Sequence, residues 1–142
     1  MQKYNNRNEV PEEFKWDLTP FFKDEKDFYE SIDKCKIMID DLKNYVGCTK
    51  DTDKLYEFLS KQINVVALWQ ELYVYSNLVN DQELGVDSSI KMKNAAENLY
   101  NEYSLNTSFF APELLNLSNE EYNNLFLNSK LNEYKADLDK VY

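Results

Sequence analysis

Between Phe28 and Val46 the apolar residues Phe28, Ile32, Cys35, Ile39, Leu42 and Val46 recur at spacings of 4, 3, 4, 3 and 4. A helix brings such a series onto one narrow stripe, whereas a strand would scatter it over both faces. This segment is therefore read as a helix packed along a neighbour. Asp24 suits its N-cap, Glu25 and Asp27 suit the positive helix end, and Gly47 suits the left-handed position past the C-terminus. The spacing predicts a helix over 24–46.

The next stretch constrains the architecture further. Residues 51–80 carry two apolar lines, one of Leu55, Leu59, Ile63, Val66, Trp69 and Tyr73, the other of Phe58, Val65, Leu68, Leu72, Tyr75 and Val79. A helix apolar on two faces is expected to lie between partners, at the centre of a bundle. After the acidic turn Asp81-Gln82-Glu83-Leu84-Gly85, a third helix is predicted over 87–110, with Met92, Ala96, Leu99, Tyr103 and Phe110 on one face. Pro112 is expected to end it, because the residue before a proline avoids the helical region.

Leu117-Ser118-Asn119-Glu120-Glu121-Tyr122 reads as a capping box of Ser118 and Glu121, with Leu117 and Tyr122 as the flanking hydrophobic staple. It predicts a short helix over 119–128. A last helix over 130–142 carries Leu131, Tyr134, Leu138 and Val141 and reaches Tyr142 with no cap. The chain is thus expected to stop inside a helix, as if cut from something longer. That stripe would then fray or pack against another copy. Residues 1–23 are predicted to be an extended strap, stapled to the bundle by Trp16, Leu18 and Phe21.

With two Gly and three Pro in 142 residues, the turn vocabulary of a sandwich or barrel is missing. The expected fold is all-α: one domain over 1–142, an antiparallel bundle of four to five helices with an extended N-terminal strap.

Composition also excludes functions. The chain has no His, so a His-Glu-x-x-His zinc site, a Ser-His-Asp triad and a Cys-His pair are all impossible within it. Gly47 and Gly85 stand too far apart for a phosphate loop. The 16 Lys and Arg against 26 Asp and Glu leave a net charge of −10, which repels nucleic acid. No apolar run approaches the ~20 residues of a membrane span, and the start lacks the apolar core of a signal peptide. A cytoplasmic protein with no nucleic-acid or membrane partner is expected. The predicted helix spans about 18 Å from residue 35 to 47, just before Cys48, whereas a disulfide needs Cα atoms within roughly 7 Å, so a bridge between Cys35 and Cys48 is not expected. They read as a small buried hydrophobe and a loop thiol.

Paired carboxylates such as Glu12-Glu13, Asp40-Asp41 and Glu120-Glu121 read as solvated helix faces, since adjacent residues do not converge on one pocket. No catalytic or metal-ligating residue is assigned. The run Tyr73-Val74-Tyr75 leaves two readings open: tyrosines lining a groove that bonds a peptide backbone, or core aromatics with their hydroxyls at the surface.

Trp16-Asp17-Leu18-Thr19-Pro20-Phe21-Phe22, then Leu72-Tyr73-Val74-Tyr75-Ser76-Asn77-Leu78 with the acidic Asn80-Asp81-Gln82-Glu83, then Ser108-Phe109-Phe110-Ala111-Pro112-Glu113-Leu114-Leu115 follow one another along most of residues 8–142. Their order and spacing resemble the N-terminal helical domain of the oligoendopeptidase F family of zinc metallopeptidases. The resemblance implies a non-catalytic domain that walls the substrate channel and limits access to short peptides. The zinc and the catalytic residues would belong to a C-terminal catalytic domain of the same polypeptide, with an oligopeptide as substrate. Tyr73 and Tyr75 would be substrate-channel aromatics, and Trp16, Trp69, Ser118 and Glu121 structural anchors. A reading from another class is a free-standing helical protein-interaction module, since the seam over 28–46 could serve a partner helix equally well.

Overall fold

The computed structural model describes residues 3–82 and 84–142, and no described residue lies in a strand. Helices α1 (Glu25–Leu42), α2 (Thr52–Gln82) and α3 (Asp87–Asn106) pack against one another. Their direction follows from the cross-contacts. Trp69 meets Ala96 and Gln62 meets Tyr103, so α2 and α3 are antiparallel. Lys36 pairs with Glu102 and Asn106 reaches the Ile39 carbonyl, so α1 and α3 are parallel. The result is an up-down-up bundle. The short helices α4 (Phe110–Leu115), α5 (Asn119–Leu125) and α6 (Lys135–Val141) fold across the end where α2 begins. The all-α bundle is as expected, with its last third in more pieces.

Local chemistry sets the helix starts. The Asp24 carboxylate accepts the Asp27 amide at 2.8 Å, and Asp51 accepts the amides of Asp53 and Lys54 at 3.1 and 3.2 Å. Phe28, Cys35, Ile39 and Leu42 form the buried seam of α1. The α-helix stops at Leu42, short of the expected 46, because its end tightens into a 3-10 turn over Lys43–Tyr45. The tightened turn rotates Val46 off the seam and into solvent. Gly47 then takes φ 86°, a conformation that any side chain would strain, and its amide donates to the Glu113 carboxylate at 2.8 Å.

The two lines of α2 are treated differently. Phe58, Val65, Leu72 and Tyr75 are buried. The other line is buried only at Leu55 and Leu59, and Ile63 is 55% exposed. A helix of 31 residues is about 46 Å long. The later elements reach only its first turns, where Tyr134 bonds Ser60 at 3.2 Å and Phe110 packs on Phe58. Farther along, that line is covered only in part, with Trp69 held against α3 and Ile63 and Tyr73 left exposed, which corrects the expectation of a helix enclosed along both lines.

Three further boundaries differ from expectation. α3 ends at Asn106, not 110, because the hydroxyls of Thr107 and Ser108 donate to the carbonyls of Tyr103 and Leu105 and let the backbone turn. Pro112 therefore does not end a helix. It sits in the first turn of α4, where its missing N–H has no intrahelical partner to lose. The capping box closes as expected, with the Glu121 amide on Ser118 Oγ at 3.2 Å and the Ser118 amide on Glu121 Oε2 at 2.7 Å, but α5 ends at Leu125. Ser118→Ala is expected to cost about 1 kcal/mol of stability. A urea midpoint unchanged by that substitution would show that α5 starts without its cap.

The final stripe corrects another expectation. Residues 129–134 form a 3-10 turn, which rolls Leu131 and Leu138 into the same core as Phe58 and Leu114. The Tyr142 ring stacks on Tyr122 at 3.8 Å, and its hydroxyl donates to the Leu117 carbonyl at 3.0 Å. Leu131 and Leu138 are thus covered within the chain and Tyr134 in part, while Val141 stays 40% exposed.

The strap carries two 3-10 turns, Arg7–Glu9 and Glu12–Phe14, where fully extended chain was expected. Trp16 is 61% exposed and does not staple it. Phe22 does, edge-on to Phe28 at 5.7 Å and to Tyr75 at 5.0 Å. The Asp17 carboxylate accepts both the amide and the hydroxyl of Thr19, and the Leu18 carbonyl accepts the Phe21 amide. This turn swings Phe22 inward. The Thr19 hydrogen bonds hold the Asp17 carboxyl below its ordinary pKa.

Candidate functional site

The motif residues mostly build the fold. Phe22, Leu72, Tyr75, Phe110 and Leu114 are core side chains, and Glu113 secures the Gly47 turn. Ser118 and Glu121 are engaged in the capping box, and Trp69 is fixed by its indole N–H, which donates to the Ala96 carbonyl at 2.9 Å. Trp16 instead lines an open cleft of about 510 Å³ between the strap and the end of α2, with Tyr4, Phe14 and Gln82.

The two candidate channel tyrosines part company. Tyr75 is 7% exposed, with its ring stacked on Phe28 at 5.6 Å. Burial first, then the carboxylates of Asp24, Asp27 and Glu25, push its hydroxyl above the ordinary tyrosine pKa. It is a core residue, with 7% of its surface left at the cleft beside Phe22 and Val79. Two residues earlier on α2, Tyr73 points the other way and is 37% exposed.

Tyr73 heads a row of rings along the α2–α3 groove, on the side of those helices away from α1. Its ring stacks on Trp69 at 5.1 Å and 27°; Trp69 is 5.1 Å from Tyr100, and Tyr100 is 6.3 Å from Tyr103. Gln62 donates to the Tyr103 hydroxyl at 2.6 Å, fixing that end. Trp69, Tyr73 and Tyr100, with Glu97 and Asn101, line an open cavity of about 370 Å³. The sequence reading missed Glu97 and Tyr100. Their signal was available in outline, since residues 93, 97 and 100 share a helix face, but nothing local says that this face meets Trp69.

These residues do not fit a zinc ion. The chain has no His, and no three Cys, Asp or Glu among the described residues come together around a common point. Cys35 and Cys48 are free and buried. Burial pushes the Cys35 thiol up to about 11, and burial with the nearby Glu113 pushes Cys48 up to about 12. Neither offers a ready thiolate. Among the described residues no helix is long and apolar enough to cross a membrane.

No protein-family model matches the chain, and no solved structure matches it. Curated relatives do. Group B oligopeptidase PepB of Streptococcus agalactiae is 28% identical over 140 residues, 97% of this chain and 23% of that protein. Oligopeptidase PepF of Bacillus subtilis is 28% identical over 138 residues, 96% of this chain and 21% of its own length. The plasmid form of oligoendopeptidase F of Lactococcus lactis is 28% identical over 127 residues, covering 83% of this chain and 20% of that protein. The resemblance read from the motifs thus extends along nearly the whole chain. The chain spans about a fifth of the length of these relatives.

Proposed function

We propose that this chain is the non-catalytic N-terminal domain of an oligoendopeptidase F-like zinc metallopeptidase that hydrolyses short peptides in the cytoplasm. In this reading the bundle walls the substrate channel and restricts access by size, and zinc and its ligands lie in a C-terminal catalytic domain of the same polypeptide. The observation that carries it is the match along nearly the whole chain to proteins named oligopeptidase or oligoendopeptidase F, of which the chain covers about a fifth. The lack of His supports it, because a His-Glu-x-x-His zinc site cannot be built from these 142 residues. Three motif segments serving as turn, core and loop tie suit a domain whose task is shape.

Of the candidate channel residues, Tyr73 is retained, joined by Trp69 and Tyr100. Tyr75 is withdrawn, because its ring is spent in the core.

The test is the coding sequence downstream of Tyr142 and the activity of the polypeptide that it specifies. The expected result is a frame that continues to His-Glu-x-x-His. Its product should cleave quenched short peptides in a chelator-sensitive manner and leave a folded protein intact. A stop codon after Tyr142 would overturn the reading in favour of a free-standing interaction module. So would a longer enzyme whose size limit is unchanged when this wall is disrupted.

A further inference from the structure

The groove between α2 and α3 brings exposed rings, a fixed indole and a carboxylate to one open cavity. Trp69, Tyr73 and Tyr100 present ring surface to water, with Tyr100 50% exposed. Their arrangement is built before any ligand arrives: the indole is tied to the Ala96 carbonyl, and the Tyr73 and Tyr100 ring centroids each lie 5.1 Å from it. Glu97 lines the same cavity and makes no hydrogen bond or ion pair with any described residue. The chain's own cation–ring contacts fall elsewhere, on Tyr45, Tyr56, Tyr122 and Phe126. Among the described residues no Lys or Arg occupies these rings.

Ring faces carry the negative lobe of the aromatic quadrupole, and indole is the strongest of them. A free carboxylate beside three such rings selects a cation over a neutral apolar group. A planar guanidinium is favoured over an ammonium, because it is weakly hydrated, stacks on rings and meets a carboxylate with two parallel N–H donors. The net charge of −10 raises the local concentration of any cationic ligand. We propose that Trp69, Tyr73, Tyr100 and Glu97 form a cup for the guanidinium of an arginine side chain in a bound peptide. The cup deepens the channel-wall reading by naming a peptide class, and rests on it only for the source of the arginine.

The experiment follows the indole N–H resonances of the isotope-labelled 142-residue chain by NMR. Trp16→Phe assigns the two tryptophans. Titration uses N-acetyl-arginine amide, with N-acetyl-citrulline amide as its neutral counterpart of nearly the same shape. Arginine amide is expected to shift the Trp69 resonance saturably while Trp16 stays in place, and citrulline amide is expected to leave both unmoved. Glu97→Gln should weaken binding about fivefold, and Tyr100→Leu about threefold. Both substitutions are at exposed positions, and an otherwise unchanged amide spectrum confirms that each variant is folded. No Trp69 shift with arginine amide, an equal shift with citrulline amide, or full affinity in both variants would overturn the cup. The titration needs no catalytic lobe, so its failure is distinct from failure of the channel-wall reading.

Discussion

Replacing Phe58 with alanine is expected to lower the unfolding free energy by about 3–5 kcal/mol. Phe58 is fully buried, with its ring 4.9 Å from Phe110, 5.5 Å from Phe109 and 6.0 Å from Tyr45. It is where α2, the turn after α1 and the start of α4 meet. The aromatic neighbours belong to two other segments and cannot all close on the space left behind, so the cavity cost adds to the lost burial. Against a typical stability of about 5–15 kcal/mol, this is a large fraction. Urea unfolding followed by circular dichroism measures it. Ile63→Ala, on the open line of the same helix, is the comparison and should cost under about 1 kcal/mol. Equal losses at the two positions would mean that the two lines of α2 are equally buried, contrary to the structure.

The second large effect is with pH. Cys35 and Cys48 have folded pKa values of about 11 and 12 against an ordinary 9.0. Above pH 9 the unfolded chain releases these protons and the folded chain keeps them. The stability these thiols contribute is therefore fully present below pH 9 and is lost as the pH rises towards 11 to 12. Each thiol contributes up to about 1.4 kcal/mol per pH unit in that window. The chain should lose several kcal/mol between pH 9 and pH 11. The hydroxyls of the buried Tyr75 and the half-buried Tyr103, also raised by burial, add to the loss at the upper end. Urea midpoints at half-unit steps from pH 7 to 10.5 provide the curve. The Cys35→Ala, Cys48→Ala double variant should be less stable at pH 7 but flatter from 9 to 10. A parent curve flat to pH 10.5 would show that both thiols reach water in the native state.

The site shows where sequence reasoning reached its limit. Tyr73 and Tyr75 are two residues apart on a helix, which puts them about 200° apart around its axis. One had to face inward, but periodicity alone could not say which, because both belonged to apolar lines. The cup adds Glu97 and Tyr100 from α3 to Trp69 and Tyr73 from α2. That pairing depends on how two helices dock, and no local spacing encodes it.

The sequence by itself determined whatever depends on contacts within about four residues: helical character from the 4-3-4 spacing, the Asp24 cap, the Ser118–Glu121 box and the turn at Gly47. These are hydrogen bonds and faces closed inside one turn of backbone, so their partners stand next to them in the chain. The tertiary structure alone decided which face of α2 stays open and that Phe22, not Trp16, fastens the strap. It also decided that the stripe of Leu131 and Leu138 finds its cover beside Phe58 and Leu114. Burial at those positions is a property of segments far apart in the chain, as Phe58 and Leu138 are, and an apolar side chain carries no label for the neighbour that removes it from water.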